Sequence, residues 1–357
     1  CVNQNMVSTA GEMVNKFEDL IKKYTKSKYA IAFNSGSAAL EIALKALNIE
    51  KKTEIIVPTL TFVATINSVL HNDCKPIFMD CDDYYNIDCL KTIDFLNNKT
   101  YQKNRNFFNK KTNKKISALL VTHVWGNAAK INELIKICKL KNIKVIEDAS
   151  ESLGTFYKIN KKHTGTLGDI GVISFNANKI ITTGGGGMLL TSKKKYALKA
   201  KHLSTQAKKN PVYFIHDEAG YNCRMTNIAA ALGISQLKLL NKFLSKKKII
   251  RQNYKYYLKN LKTFELSSTP NYAVNNNWMN MVKSQKPLNL KIIIKKFYDK
   301  QIQVRPVWKL NHLQKPFKKF QIYKITKAIH LYDRSLCLPS SPFLTKNEIK
   351  KITSVLK

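Results

Sequence analysis

A single lysine, Lys179, lies between a short apolar run and four consecutive glycines, and this stretch constrains the fold more than any other. The apolar run, Ile170 to Phe175, has the length of a buried strand. An amine that reacts with a bound aldehyde needs a rigid strand end, and the glycines, Gly184 to Gly187, leave room for a flat ligand beside the backbone. Glycine runs also form ordinary flexible turns, so these residues alone leave both interpretations open.

Strand-like and helix-like segments alternate through the first half of the chain. The predicted strands are 29–33, 54–57, 75–80, 116–121 and 143–146, and the predicted helices include 11–25, 38–47 and 131–140. This alternation predicts an α/β fold, with a mostly parallel sheet flanked by helices and ligand groups at the carboxyl ends of the strands. The lysine- and asparagine-rich stretch 97–115 has no periodicity and is predicted to be an exposed loop.

The pattern changes after Leu240. Long helical spacing over 241–261 is followed by a turn around Pro270 and a mixed segment to the end of the chain. With 357 residues, the chain is longer than one typical domain. The sequence therefore predicts a large domain over 1–240 and a smaller α+β domain over 241–357.

The formal net charge of +38 raises the question of a nucleic-acid partner. Lysine supplies nearly all of this charge, whereas nucleic-acid readers depend on bidentate arginine, so we expect no nucleic-acid partner. No apolar run is long enough for a membrane helix, and we expect no membrane contact. The seven cysteines are scattered and contain no C-x-x-C pair, which argues against disulfides and a metal site and favours the cytoplasm.

Two further places offer ligand groups. The sequence Asn34-Ser35-Gly36-Ser37 joins a predicted strand to a predicted helix, and Ser37 is predicted to cap that helix while free backbone N–H groups face a phosphate. An ordinary helix cap without a ligand fits this turn equally well. Asp148 ends a predicted strand ahead of Lys179, where it is suited to hold a protonated ring nitrogen or to cap a helix.

Several segments together carry a resemblance to a known family. They are NSGSAAL, VPTLTFVATINSV, VIEDASESLG, GDIGVISFNANK, TTGGGGM, GYNCRMTNIAAALG and RPVWKLNH. In this order they resemble the pyridoxal-phosphate-dependent nucleotide-sugar aminotransferases, which have the aspartate-aminotransferase fold type I. The likeness runs from about Gly11 to about Leu313.

The resemblance implies roles for individual residues. Lys179 would be the catalytic residue that holds pyridoxal 5'-phosphate covalently and moves the proton. The cofactor-binding residues would be Gly36, Ser37, Phe62, Asp148, Glu151, Ser174, Asn176, Asn222 and Arg224. Asn222 and Arg224 would reach from one subunit into the phosphate site of its neighbour, so the resemblance implies a homodimer with shared active sites. Arg305 would pair with phosphate of the substrate, and Trp308 would stack on it.

Within the family the chain looks most like enzymes that aminate the 4-keto carbon of a UDP-linked 6-deoxy-N-acetylhexosamine, on the route to bacillosamine- or legionaminic-type sugars. Glutamate would be the amino donor. The alternatives are another nucleotide-linked keto-sugar, such as a perosamine precursor, and a non-catalytic regulator on the same fold. Other members often carry Gln or His in place of Glu151 and His in place of Asn176, which leaves the identity of the sugar open. A dehydrating branch replaces the lysine with histidine, and Lys179 argues against it.

Overall fold

The structure is a computed structural model that describes residues 1–3, 6–9, 11–210 and 212–357. In chain order the strands are β1 (Tyr29–Phe33), β2 (Glu54–Pro58), β3 (Lys75–Met79), β4 (Thr100–Lys103), β5 (Asn106–Asn109), β6 (Ile116–Thr122), β7 (Lys144–Asp148), β8 (Phe156–Tyr157), β9 (Ile170–Ser174), β10 (Gly187–Thr191), β11 (Lys208–Asn210), β12 (Ile215–His216), β13 (Phe264–Leu266), β14 (Ala273–Val274), β15 (Asn280–Ser284), β16 (Arg305–Pro306), β17 (Ile322–Tyr323) and β18 (Ser335–Leu338).

The helices are α1 (Glu12–Thr25), α2 (Gly36–Ala46), α3 (Val63–His71), α4 (Cys89–Asn98), α5 (Asn132–Leu140), α6 (Lys194–Ser204), α7 (Asn227–Lys238), α8 (Leu240–Leu258), α9 (Leu290–Tyr298), α10 (Lys327–Tyr332) and α11 (Lys346–Ser354).

An eight-stranded sheet forms the centre of the molecule, in the order β1-β10-β9-β7-β6-β2-β3-β17. Every strand of this sheet except β10 runs in the same direction. The strands β2, β6, β7 and β9 are almost entirely buried, as expected for parallel strands covered on both faces. The predicted α/β fold class is therefore confirmed.

Helices cover the two faces of this sheet with separate apolar clusters. On one face α2, α3 and α6 pack on side chains such as Phe33, Val57 and Leu189. On the other face α1 and α7 pack near β9 and β10, while α4 and α5 pack near β3 and β6. This arrangement leaves the carboxyl ends of the parallel strands open at one edge.

The stretch 97–115 contradicts the prediction of an exposed loop. The strands β4 and β5 form an antiparallel hairpin, in which Tyr101 stacks on Phe108 with ring centroids 5.7 Å apart. Asn104 and Arg105 form the turn, both with positive φ angles. Aromatic pairs across two strands stabilise such a hairpin, and the many lysines and asparagines around them hide its short alternation in the sequence.

The C-terminal part has a smaller sheet of its own, in the order β13-β15-β18-β16, with antiparallel pairing throughout. The helices α8, α9 and α11 pack with this sheet in a separate apolar cluster that includes Tyr254 and Phe297. The chain also returns to the large sheet, because β17 pairs with β3. The division at residue 240 coincides with the start of α8 and stays a prediction.

Candidate active site

One cavity of about 720 Å³ opens at the carboxyl edge of the large sheet. The predicted residues that line it are Gly36, Ser37, Phe62, Asp148, Glu151, Ser174, Asn176, Lys179, Arg305 and Trp308. Asp148 and Ser174 end β7 and β9, and Arg305 and Trp308 come from the C-terminal part. The fold thus brings together side chains that are far apart in the sequence, at the place where parallel sheets bind ligands.

The start of α2 forms one end of the cavity. Ser35, and not Ser37 as predicted, caps the helix, because its hydroxyl accepts a hydrogen bond from the backbone N–H of Ala38 at 3.1 Å. The helix begins two residues earlier than a Ser37 cap would allow, so Gly36 and Ser37 lie in its first turn. First-turn N–H groups have no partner within the helix, and together with the positive helix end they suit a phosphate.

Close backbone contacts beside this turn explain two glycines. A Cβ on Gly36 would lie 2.9 Å from the Cβ of Ser174, and a Cβ on Gly187 would lie 2.5 Å from the carbonyl oxygen of Ser35. Only glycine allows the α2 turn, β9 and β10 to approach this closely. The approach places the Ser174 side chain next to the free N–H groups of the turn.

Lys179 lies in the turn after β9, with its side chain 13% exposed. Its amine donates a hydrogen bond to the Oε1 atom of Glu151 at 3.3 Å. The same amine lies 4.4 Å from the ring centroid of Trp278. The lysine amine is therefore held at the cavity wall by a carboxylate and an aromatic face.

Glu151 is buried, and its second oxygen accepts a hydrogen bond from the backbone N–H of Trp125 at 2.7 Å. Burial raises the pKa of the Glu151 carboxyl, and Lys179 and the Trp125 N–H oppose that rise. Glu151 is thus placed to hold the Lys179 amine by a hydrogen bond inside the cavity.

Asp148 is 4% exposed at the end of β7. Its Oδ2 atom accepts a hydrogen bond from the Thr65 hydroxyl at 2.7 Å, and its Oδ1 atom accepts one from the Ser150 N–H at 3.1 Å. The Thr65 hydroxyl is also hydrogen-bonded to the Thr61 hydroxyl, which is in turn hydrogen-bonded to the Thr122 hydroxyl, and each of these two contacts is 2.9 Å. This chain of hydroxyls fixes the carboxylate in one orientation toward the cavity.

Aromatic rings form the opposite wall. Phe62 is 53% exposed although it is large and apolar, and it lies 6.0 Å from the Trp308 ring. Trp308 in turn lies 5.3 Å from Trp125. Trp125 has the left-handed angles φ 54 and ψ 24, which cost about 1 to 3 kcal/mol for a bulky residue. Strain of this kind is found where the chain must present a particular surface.

Asn222 and Arg224 do not line the cavity of their own chain. Within the described residues, the Arg224 Nε atom donates a hydrogen bond to the Asn222 side-chain oxygen at 3.4 Å, and both lie toward the surface. Their predicted place in a neighbouring subunit stays a prediction.

Trp278, Thr65 and Trp125 have no role predicted from the sequence. Thr65 lies within the segment VPTLTFVATINSV and Trp125 follows the strand predicted at 116–121, but their contacts depend on how two strands are placed side by side. Trp278 stands in the run Asn275 to Met281, where nothing in the sequence connects it to Lys179.

The residues of the cavity suit pyridoxal phosphate. The N–H groups of the α2 turn suit its phosphate, Asp148 suits its ring nitrogen, and Lys179 suits its aldehyde. Phe62, an exposed ring over the cavity, suits the face of a planar ligand.

Comparison with known proteins also indicates an enzyme that uses pyridoxal phosphate. The sequence profile of the DegT/DnrJ/EryC1/StrS aminotransferase family matches residues 1–357. A putative pyridoxal phosphate-dependent aminotransferase, EpsN, of Bacillus subtilis (strain 168) is 34% identical, covering 99% of this chain and 89% of its own. A GDP-perosamine synthase of Escherichia coli O157:H7 is 31% identical, covering 98% of this chain and 90% of its own. A UDP-4-amino-4,6-dideoxy-N-acetyl-beta-L-altrosamine transaminase of Campylobacter jejuni (strain 81-176) is 33% identical over 70% of this chain and 62% of its own.

Solved structures agree on the fold. A DegT DnrJ EryC1 StrS aminotransferase from Brucella abortus superposes with a TM-score of 0.90 at 23% identity, covering 99% of this chain and 92% of that one. Within the described residues, every helix is too short or too polar to cross a lipid bilayer.

Proposed function

Because the chain belongs to the DegT/DnrJ/EryC1/StrS aminotransferase family, we propose that it moves an amino group from glutamate to the 4-keto carbon of a UDP-linked 6-deoxy-N-acetylhexosamine. The broader activity is that of a pyridoxal-phosphate-dependent aminotransferase of nucleotide-linked sugars. The observation that carries the proposal is the position of the Lys179 amine, in the same cavity as Asp148 and the α2 turn.

Each group of the cavity has a distinct task in this proposal. Pyridoxal phosphate, when bound, supplies an aldehyde and a ring that withdraws electrons from the carbon beside the transferred nitrogen. The Lys179 amine takes the proton from that carbon and returns it to the carbon on the other side of the transferred nitrogen. The Asp148 carboxylate, fixed by Thr65, keeps a ring nitrogen protonated. Glu151 accepts a hydrogen bond from the Lys179 amine and keeps that amine at the cavity wall between the two steps.

The part of the cavity around Trp308 supports the proposal of a nucleotide-linked substrate. Arg305 and Lys309 contribute cationic side chains to the cavity beside Trp308. A guanidinium and an ammonium suit a diphosphate, and an indole ring suits the face of a base or the apolar face of a sugar. UDP is proposed over GDP from the resemblance of FNANK, EDASES and RPVWK, and a perosamine precursor is the second candidate because of the similarity to a GDP-perosamine synthase.

We infer a homodimer with shared sites, in which Arg224 contacts the cofactor phosphate of its partner. The segment before Arg224 supports an interface, because Val212, Tyr213, Phe214 and Ile215, which lie between β11 and the end of β12, are 51 to 75% exposed. Apolar side chains at this density mark a contact surface. Mixing inactive Lys179→Ala with inactive Arg224→Ala protein should restore part of the activity, since some heterodimers hold one intact site. Full activity of a monomeric preparation would contradict the shared site.

The activity is tested by incubating the purified protein with glutamate, pyridoxal phosphate and a 4-keto-6-deoxy sugar linked to UDP or to GDP. We expect a 4-amino sugar with the UDP-linked N-acetylhexosamine, and no product from Lys179→Ala. Product only from the GDP-linked sugar would replace the first candidate with the second. Absence of any amino sugar, with cofactor bound, would favour the non-catalytic regulator.

The covalent role of Lys179 is tested separately by borohydride reduction of the protein with pyridoxal phosphate. Peptide mass mapping should find the reduced cofactor on Lys179. A reduced adduct at another lysine in Lys179→Ala protein would show that the assignment is wrong.

A further inference from the structure

We propose that Trp278 is a positioning residue for Lys179, and that Glu151 and Trp278 together form a lysine seat that holds the Lys179 amine in place after it has taken a proton. The proposal rests on the proposed function, because it describes Lys179 in the part of the cycle when its amine is not bonded to the cofactor. Trp278 belongs to the C-terminal part, and the family resemblance assigns it no role.

Both walls of the lysine seat attract a protonated amine. The Glu151 carboxylate lies 3.3 Å from the Lys179 amine, and the Trp278 ring centroid lies 4.4 Å from it. An ammonium is attracted by a carboxylate and by the face of an indole, whereas a neutral amine gains little from either. The seat therefore keeps the Lys179 amine in one place after it has taken a proton.

The Trp278 ring also fixes the backbone beside the lysine. Its Nε1–H group donates a hydrogen bond to the carbonyl oxygen of Asn178 at 3.0 Å, and the residue is only 6% exposed. One side chain thus contacts both the backbone next to Lys179 and the end of the Lys179 side chain. The Trp278 ring therefore sets the distance between the backbone of the turn at Asn178 and the amine of Lys179.

Asn276 connects the two walls of the seat. Its side-chain oxygen accepts a hydrogen bond from the backbone N–H of Trp278 at 2.9 Å. Its side-chain NH₂ group donates a hydrogen bond to the backbone carbonyl oxygen of Glu151 at 2.8 Å. Asn276 is 1% exposed, so these bonds are not exchanged with water. A single buried amide therefore fixes the spacing between Glu151 and Trp278.

Lys247 supports the same segment from behind. Lys247 is 5% exposed, and its amine donates hydrogen bonds to the carbonyl oxygens of Trp278, at 2.9 Å, and of Ser340. Among the described residues it has no carboxylate partner within salt-bridge distance. A buried amine that binds only two carbonyl groups has a structural task, and here that task is to hold the backbone of Trp278.

The test measures the reactivity of Lys179 in cofactor-free protein. Trinitrobenzenesulfonate reacts with neutral amines, and peptide mass mapping gives the rate at Lys179 alone. We expect the rate at fixed pH to rise roughly three- to fivefold in Trp278→Leu, because the ammonium loses its aromatic wall. Trp278→Phe keeps an aromatic face and should show a smaller rise. Glu151→Gln removes the carboxylate charge and should also raise the rate.

Trp308→Leu is the matched control, because it removes an indole from the same cavity at a place where the ring contacts Phe62 and Trp125. Its Lys179 reactivity should equal that of the wild type. Equal rates in folded Trp278→Leu, Trp278→Phe and wild-type protein would overturn the proposal, and so would an equal rise in Trp308→Leu. Failure of the borohydride experiment would instead contradict the role of Lys179, since that experiment does not depend on Trp278.

Discussion

We predict that Glu147→Gln strongly destabilises the protein although it exchanges only one oxygen for an amide group. Glu147 is fully buried next to Asp148 on β7. Its two oxygens accept hydrogen bonds from His123 Nε2 at 3.0 Å and from the backbone N–H groups of Gly165 at 2.9 Å, Leu167 at 2.7 Å and Gly168 at 2.6 Å. Every partner is a donor, and the carboxylate satisfies all of them.

The His123 ring confirms this count of donors. Its Nδ1 atom accepts a hydrogen bond from the Ala129 N–H at 3.0 Å, so its Nε2 atom carries the proton that Glu147 accepts. In Glu147→Gln the new NH₂ group faces two donors in either orientation. Two donors then lose their acceptor, at about 1 to 3 kcal/mol each, so the free energy of unfolding should fall by about 2 to 6 kcal/mol.

Urea unfolding of the wild type and of Glu147→Gln measures this loss. Glu133→Gln is the control, because Glu133 lies exposed on α5 and its variant should stay within about 0.5 kcal/mol of the wild type. Burial alone would raise the pKa of the Glu147 carboxyl, but the His123 and backbone hydrogen bonds outweigh it and lower the pKa. The stabilisation is therefore present above the unfolded-state pKa and is lost as the pH falls through the folded-state pKa. A Glu147→Gln protein as stable as Glu133→Gln at neutral pH would refute the reasoning.

Two further predictions concern single charges. Asp148→Asn keeps the shape of the side chain but removes the charge that holds a ring nitrogen protonated. The kcat should therefore fall on the order of a hundredfold or more, with an unchanged melting temperature. Wild-type turnover of the variant would exclude this role of Asp148. Burial lowers the pKa of Lys247 to about 8, so the folded state binds fewer protons than the unfolded state above that pH. The stability that this group contributes therefore rises between pH 8 and the unfolded-state pKa. Unfolding at several pH values should show the wild type gaining up to about 3 kcal/mol relative to Lys247→Met over that range. A difference between the two proteins that stays constant with pH would contradict the prediction.

The sequence predicts the parallel sheet and the reacting lysine because both depend on local patterns. The strand predicted at 29–33 matches β1, and the alternation of strands and helices dictates which edge of the sheet holds Asp148. Ser35 and Ser37 show the limit of local patterns. Both are small polar residues at a helix start, and only the hydrogen bond from the Ala38 N–H to the Ser35 hydroxyl shows which of them caps the helix.

Contacts between distant segments are outside the reach of such patterns. Trp278 is 99 residues from Lys179, and its seat depends on Asn276, which binds Glu151. No spacing in the sequence encodes that contact, because it is set by how the C-terminal part packs on the large sheet. The candidate reacting groups are therefore predictable from the sequence, whereas the groups that hold them in place are not.

The strand β7 shows how the same backbone serves both kinds of group. Successive side chains of a strand point to opposite faces, so Glu147 and Asp148 cannot share a task. Asp148 is directed toward the cavity, while Glu147 binds the turn from Gly165 to Gly168 that leads directly into β9. Since β9 ends just before the turn that carries Lys179, Glu147 fixes the approach of the lysine to Asp148 without touching the cavity. The loss of stability in Glu147→Gln should therefore be accompanied by a loss of kcat, even at temperatures at which the variant remains folded.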